Sequence, residues 1–373
     1  MPGHFRKLDW ILIASVIILC AISLLVLFSF NFQTGPDEFN SFKRQTYFFI
    51  FGFFAMIIMS FLDFRIFKNY SLILVALYLL LLAALVALFF FGLRVHGTQG
   101  WFDLGIVNFE PVELAKLVIL LILAKYFSNR HIEVYRARHI IASGIYVLIP
   151  LALVLIQPDL GSAMILGAIW LGMVILSEIK FKHLALVALG AVSVFILAWF
   201  FVLQPYQKDR VLNVINSEKD PLGSSYNLIQ SKIAVGSGGL WGKGLGQGSQ
   251  GQLNFLPEKH TDFIFPVFAE EWGSAGVIFL FCVYGVFFWR LVRISLNATN
   301  NFSRLFASGF AVMVFAQVFI NIGMTVGIMP ITGIPLSFMS YGGSNLLINF
   351  LALGIIQNMV VQTKSGGYLE REE

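Results

Sequence analysis

Stretches of about 20 apolar residues, the length an α-helix needs to cross the hydrocarbon core of a bilayer, recur from Trp10 to Val361 of this 373-residue chain. No other feature restricts the fold as strongly. A chain that crosses lipid must satisfy its backbone N–H and C=O groups internally, which leaves helical bundles and closed barrels. Barrel strands alternate apolar with polar residues, and these runs do not. The expectation is an all-α, polytopic membrane helical bundle. Composition agrees: 58% of residues are hydrophobic and 12% charged, against roughly 25% charged in soluble domains, and mean hydropathy is +0.82. The net charge of +5 does not point to nucleic acid, because lysines and arginines border the apolar runs and form no basic stripe interleaved with aromatics. Cys20 and Cys282 each lie inside an apolar run without metal-ligand spacing and read as buried thiols.

Ten spans are predicted: Trp10 to Phe30, Thr46 to Leu62, Tyr70 to Leu93, a fourth that ends at Phe127, Ile140 to Ile156, Leu160 to Leu176, His183 to Leu203, Phe263 to Phe288, Leu305 to Ile328 and Ser344 to Val361. The first is too long for a signal-peptide core and lacks a small-residue cleavage site. An even count puts both termini on one side. With the termini in the cytoplasm, fifteen basic residues lie inside and three in the short outer loops, as the positive-inside rule requires. Residues 204–262, polar and rich in glycine and serine, then form one large extracytoplasmic loop within a single membrane domain of 1–373.

Chemistry concentrates where that loop turns into the eighth span, in LPEKHTDFIFPVFAEEWG from Leu256 to Gly273. Asp262, next to Phe263, Ile264 and Phe265, has apolar groups on one side, a setting that raises a carboxylate toward a useful general base. The plain alternative is that Asp262 only caps the following helix. Glu113 and Lys116 are three residues apart on one face of the fourth span, where intramembrane charges demand a reason: either an ion pair or a polar cavity. Asp159, in QPDLGSA, suits the N-cap of the sixth span. Arg210 is a loop guanidinium able to grip a phosphate bidentately. The run VGSGGLWGKGLGQGSQGQ satisfies G-x-G-x-x-G at Gly246, Gly248 and Gly251, but no strand precedes it and the phosphate-loop pattern fails around Lys243. Its glycines are expected to let the loop fold back over the membrane surface and approach a large ligand. MPITGIPLSFMSYGGSN, from Met329 to Asn345, is a second breaker-rich segment, tolerable in a membrane where it lines a polar cavity.

FEPVELAK (109–116), QPDLGSA (157–163), KIAVGSGGLWGKGLGQGSQ (232–250), LPEKHTDFIF (256–265) and GIPLSFMSYGGSN (333–345) resemble, in order and spacing, the signatures of the SEDS family of bacterial cell-wall polymerases. The resemblance spans nearly the whole chain. It implies a ten-span inner-membrane glycosyltransferase that polymerises lipid II into glycan strands during cell elongation, working with a class B penicillin-binding protein and other proteins of the elongation complex. The essential acid of the family falls on Asp262. Its conserved glutamate, lysine and aspartate fall on Glu113, Lys116 and Asp159, and the matching motifs add Lys232, His260, Ser340 and Tyr341, with Arg210, as substrate-binding candidates. Two positions depart: the family usually reads FQPSELAK where this chain has Glu110 and Val112, and Gly100 stands where an arginine usually precedes Trp101.

The implied reaction needs a base for the attacking hydroxyl and positive charge or a metal for the leaving lipid diphosphate. Asp262 is the candidate base, Lys116 and Arg210 are candidates for the leaving group, and Glu113 and Asp159 orient Lys116 or help hold a divalent cation such as magnesium or manganese. A flippase or other transporter of lipid-linked precursors, and a non-catalytic scaffold, are the rival functions. A transporter needs a polar route through both leaflets, whereas the polar residues here gather toward one side.

Overall fold

The computed structural model describes residues 2–30, 39–95, 98–103, 105, 108–129, 137–177, 204–215 and 225–369, with a few positions between 185 and 200. A short helix α1 (Pro2–Lys7) leads to α2 (Trp10–Ser29), then α3 (Phe39–Phe61), α4 (Arg65–Asn69), α5 (Ser71–Phe91), α6 (Pro111–Ser128), α7 (Ala137–Ile156) and α8 (Leu160–Leu176). After the seventh expected span come α9 (Pro205–Ile215), α10 (Tyr226–Ser237), α11 (Ser249–Gln252), α12 (Ile264–Leu296), α13 (Asn301–Val326) and α14 (Gly343–Leu369). Among the described residues seven helices are long and apolar enough to cross a membrane: α2, α3, α5, α7, α12, α13 and α14. Two more expected spans coincide with α6, whose charges are buried, and with α8. The seventh, His183 to Leu203, lies for the most part outside the described residues. The protein is thus a multi-pass helical membrane protein, with span ends displaced by a few residues from those read in the sequence.

Local chemistry sets the helix ends. Asp9 accepts a hydrogen bond from Leu12 N at 3.0 Å and starts α2, and Asn300 does the same for α13 through Ser303 N at 2.9 Å. Proline opens α6, where its missing N–H costs nothing. The α12 helix is broken at Gly273, whose φ of 65° and ψ of −169° no larger residue adopts easily.

One expectation needs correction: of the two thiols read as buried, Cys20 is buried and Cys282 is exposed. The Gly-rich loop before α6 is a small antiparallel sheet of β1 (Leu93–Val95), β2 (Thr98–Asp103) and β3 (Asn108–Phe109), pairing Leu93 with Trp101 and Phe102 with Phe109. Val95, Thr98, Trp101, Phe102 and Phe109 are residues that suit a pleated surface. The 204–262 segment holds α9, α10 and α11. Its glycines do fold it back, but against protein. A Cβ on Gly238 would lie 2.1 Å from Ala269 O and one on Gly242 2.1 Å from Glu271 O, so these glycines admit the backbone of α12 where a ligand was expected. Buried Glu270 takes Lys243 Nζ at 2.6 Å and Ser249 Oγ at 3.0 Å, and Glu271 takes Ser29 Oγ at 2.8 Å.

The feature that positions the site is the non-helical stretch 327–342 between α13 and α14. Inside a bundle every unpaired carbonyl must find a donor, and here side chains from four helices supply them. Ser23 of α2 donates to Met339 O, Gln45 of α3 to Ser340 O at 3.1 Å, Tyr284 of α12 to Ser337 O at 2.6 Å, and Asn321 of α13 to Ile334 O at 2.7 Å. Phe338 adds apolar contact, edge-on to Phe287 at 5.6 Å and to Phe350 at 6.1 Å.

Both chain ends meet at one end of the bundle, where Lys364 Nζ donates to Lys7 O at 2.8 Å and Lys7 Nζ to Ser365 Oγ at 3.0 Å. The α2 helix runs from there to the opposite end, where Gln252 donates to Ser29 O at 2.9 Å. The site is built at that opposite end.

Candidate active site

His260 and Thr261 are bound to the 327–342 stretch, and Asp262 to α13 beside it. Tyr341 N donates to His260 O at 2.8 Å, Ser340 Oγ to Thr261 O at 2.5 Å, and Asn321 Nδ2 to Asp262 O at 3.0 Å. Ser340 Oγ also accepts from Leu336 N at 2.7 Å, so this buried hydroxyl ties one segment to the other. The Asp262 carboxylate faces Gly333: a Cβ there would lie 3.4 Å from Asp262 Oδ2, and Gly333 has a φ of +74°. The N-cap position of α12 falls on Phe263, which supplies no side-chain cap.

On the other side of residues 331–334 stands the α8 N-terminus. A Cβ on Gly161 would meet Thr332 O at 2.6 Å and the Ile334 side chain at 2.9 Å. Asp159 does cap α8, accepting from Ser162 N at 2.9 Å. Arg210, half-buried on α9, reaches the same stretch by donating to Ile331 O at 3.3 Å, and Gln207 beside it donates to Pro158 O at 3.5 Å. Asp262, Asp159 and Arg210 thus converge on residues 331–334.

The third element is the start of α6. Lys116 Nζ lies 2.7 Å from Glu113 Oε1, and both residues are about 98% removed from solvent, at 1% and 2% exposure. Asn345 Nδ2 donates to Glu113 Oε2 at 3.0 Å, and Asn349 Nδ2 to Asn345 Oδ1 at 2.9 Å. Both carboxylate oxygens are thereby satisfied, the condition under which a buried ion pair persists. Glu110 feels the charges of Glu113, Lys116 and Asp159 and is hydrogen-bonded by the Trp101 side chain. Loss of water around it, then repulsion from Glu113, holds its carboxyl well above the usual range. Desolvation raises Asp159 as well, opposed by its bonds to Ser162 and by the charge of Lys116.

The other candidates sit at the edges. Lys232, exposed on α10, packs its stem over Gly327, the left-handed C-cap of α13, where a cation complements the helix dipole. The His260 ring stands edge-on to Phe30 at 4.7 Å. Sequence reasoning missed Glu110, Trp101, Asn321 and Asn345, whose roles arise from contacts between distant segments; only the departure from the usual motif at Glu110 marked one of them. No group of three or more His, Cys, Asp or Glu side chains among the described residues is placed to hold a metal ion, so Glu113 and Asp159 form no ready cage for one.

Fold and site define a class: a polytopic helical membrane protein that buries an acid–base cluster beside an unwound intramembrane segment. The chain belongs to the FtsW/RodA/SpoVE family of cell cycle proteins, whose model matches residues 9–365. It is 39% identical over 314 residues to the peptidoglycan glycosyltransferase MrdB of Escherichia coli K12, covering 84% of each chain. To stage V sporulation protein E of Bacillus subtilis it is 33% identical over 357 residues, 94% of this chain and 96% of the relative. Among solved structures it resembles a chain of a peptidoglycan synthase complex that coordinates polymerization and crosslinking, with a TM-score of 0.80, 31% identity and 96% and 98% of the two chains covered. It also resembles the rod shape determining protein RodA of Thermus thermophilus, with a TM-score of 0.70, 30% identity and 95% and 96% coverage.

Proposed function

We propose that this protein is a peptidoglycan glycosyltransferase that polymerises lipid II at the outer face of the bacterial inner membrane, with both termini in the cytoplasm. Membership of a family whose curated relatives bear that enzyme name carries the activity. A sugar hydroxyl of one lipid-linked disaccharide attacks the anomeric carbon of another. The new C–O bond forms as the bond to the lipid diphosphate breaks and its electrons leave with the phosphate oxygen. Asp262 takes the hydroxyl proton. Its carboxylate beside Gly333 is the observation that supports this role. Arg210, on the half-buried rim, meets the leaving diphosphate. Lys116, buried against Glu113, orders the wall of the site with Asp159 and Asn345. A divalent cation of the magnesium or manganese type belongs to this proposal through the substrate's own diphosphate oxygens, and chelation followed by readdition of each ion tests it.

Asp262→Asn decides the assignment of the base. An amide keeps the shape and cannot take a proton, and losing a general base costs about 10²- to 10⁴-fold in rate. Purified variant and wild type are compared for glycan strand formation from lipid II, with the thermal midpoint in detergent as the control for folding. Near wild-type polymerisation would remove Asp262 from the mechanism.

A class B penicillin-binding protein is the proposed partner, with other elongation proteins joining the complex. Phe279 on α12 and Phe315 and Phe319 on α13, each 50–57% exposed, offer an apolar face for a single-span partner helix. Co-purification in mild detergent should recover such a partner and lose it when Phe315 and Phe319 are replaced by alanine.

A further inference from the structure

At the end of the bundle that carries both termini, far from Asp262, a pocket of about 200 Å³ opens between the end of α12, the start of α13 and the last turns of α14. We propose that it binds the phosphodiester headgroup of an anionic phospholipid. Three observations lead there.

The first is charge. Arg290, Arg293 and Lys364 line the pocket, with Asp9 as the lining carboxylate. Asp9 is already engaged, since Arg290 donates to Oδ1 at 3.2 Å and forms a close ion pair with Oδ2, and Leu12 N donates to Oδ1 at 3.0 Å. Lys364 is held to backbone carbonyls at 2.8 Å and 3.4 Å and has no carboxylate partner among the described residues. Arg293 has no carboxylate partner among the described residues; its guanidinium lies over the Trp289 ring at 4.9 Å. The lining therefore keeps two positive charges beyond the Asp9–Arg290 pair.

The second is an unused buried donor. Ser303, 3% exposed, lines the pocket in the first turn of the 26-residue α13, where N–H groups and the helix dipole favour an anion. Its Oγ has no hydrogen-bond partner among the described residues. A buried hydroxyl without a partner is costly, and a phosphate oxygen in the pocket would satisfy it.

The third is depth. Trp289, 48% exposed beneath Arg290 and Arg293, marks headgroup level, where tryptophan and cationic side chains gather. Ile294, Met359 and Val360 make the rest of the wall apolar, as the glycerol and first methylenes of a lipid require. Basic pockets between membrane helices suit phospholipid headgroups for this combination of reasons.

The test uses the full chain purified in mild detergent, offered phosphatidylglycerol or phosphatidylcholine, with bound lipid counted by native mass spectrometry. Wild type should retain phosphatidylglycerol and not phosphatidylcholine. Arg293→Gln should lower that retention about fivefold, and Ser303→Ala should lower it as well, with lipid-free thermal midpoints close to wild type. Arg65→Gln, which removes an exposed cation of α4 outside the pocket, should leave retention unchanged. Equal losses in Arg65→Gln and Arg293→Gln would mean diffuse surface charge and would overturn the site. So would equal retention of phosphatidylcholine, or an Arg293-dependent thermal shift with inorganic phosphate but no retained phosphatidylglycerol, which would assign the pocket to a soluble anion.

Discussion

Glu110 stands at the start of α6 beside a second carboxylate, and its surroundings explain how an acid is accommodated. Desolvation, then the Glu113 charge, raises its carboxyl well above the usual range, which favours the neutral acid, a group with the shape and charge of glutamine. The folded state therefore favours the proton more than the unfolded chain does. The stability owed to this group falls as pH rises from the ordinary glutamate range through the raised value. Glu110→Gln should leave polymerisation near wild type at neutral pH. It should also unfold at higher temperature than wild type, by a margin that widens with pH, as melting curves across a pH series would record. The Glu113–Lys116 pair makes the opposite case. Removing one partner of a buried pair costs about 3–5 kcal/mol, while replacing both with neutral residues of similar volume is often nearly neutral. Lys116→Met should therefore unfold far more readily in denaturant than the double variant Glu113→Gln, Lys116→Met. The double variant should recover stability without recovering activity. Residues of this kind were legible where the signal is local: Glu113 and Lys116 through i, i+3 spacing, Asp159 through its cap pattern. Asn345, 232 positions from its partner Glu113, carries no such local signal.

The element that matters most is not a regular one. The 327–342 stretch stays unwound because Pro330, Gly333 and Pro335 resist helix, and it stays inside the bundle because four helices feed its carbonyls. Its breakers were plain in the sequence; the donors that hold it were not, since Ser23, Gln45, Tyr284 and Asn321 look like ordinary polar residues in apolar runs. Asn321 bridges the two halves of the site by donating both to Asp262 O and to Ile334 O. Asn321→Leu preserves volume and strands both carbonyls, at about 1–3 kcal/mol for an unsatisfied buried group. The variant should melt lower and polymerise more slowly through kcat, with KM little changed, because the diphosphate contact proposed for Arg210 is untouched. The helices of the 204–262 segment were not legible for the reverse reason. Polar and glycine-laden, it has no long apolar run, and α10 and α11 are ordered by packing on α12.

For the whole molecule, a helical bundle that crosses the membrane many times was readable from hydrophobic runs, because lipid imposes that rule directly on sequence. The structure adds that residues 7 and 364–365 touch and that the Asp262 segment lies at the far end of α2. A 20-residue helix spans about 30 Å, a bilayer core, so the termini and the site must face opposite compartments. The proposal that the termini end is cytoplasmic rests on the basic residues Arg65, Lys68, Arg290, Arg293 and Lys364 at that end, since cationic loops favour the cytoplasm. Single cysteines placed at Ser237, exposed on α10, and at Ser365 should test this, in a chain where exposed Cys282 is first replaced by alanine and buried Cys20 is kept. In intact spheroplasts a membrane-impermeant maleimide should label the cysteine at 237 and reach the one at 365 only after lysis. Labelling of 365 without lysis, with 237 protected, would place Asp262 in the cytoplasm. Polymerisation at the outer face would then be untenable whatever Asp262→Asn does to activity.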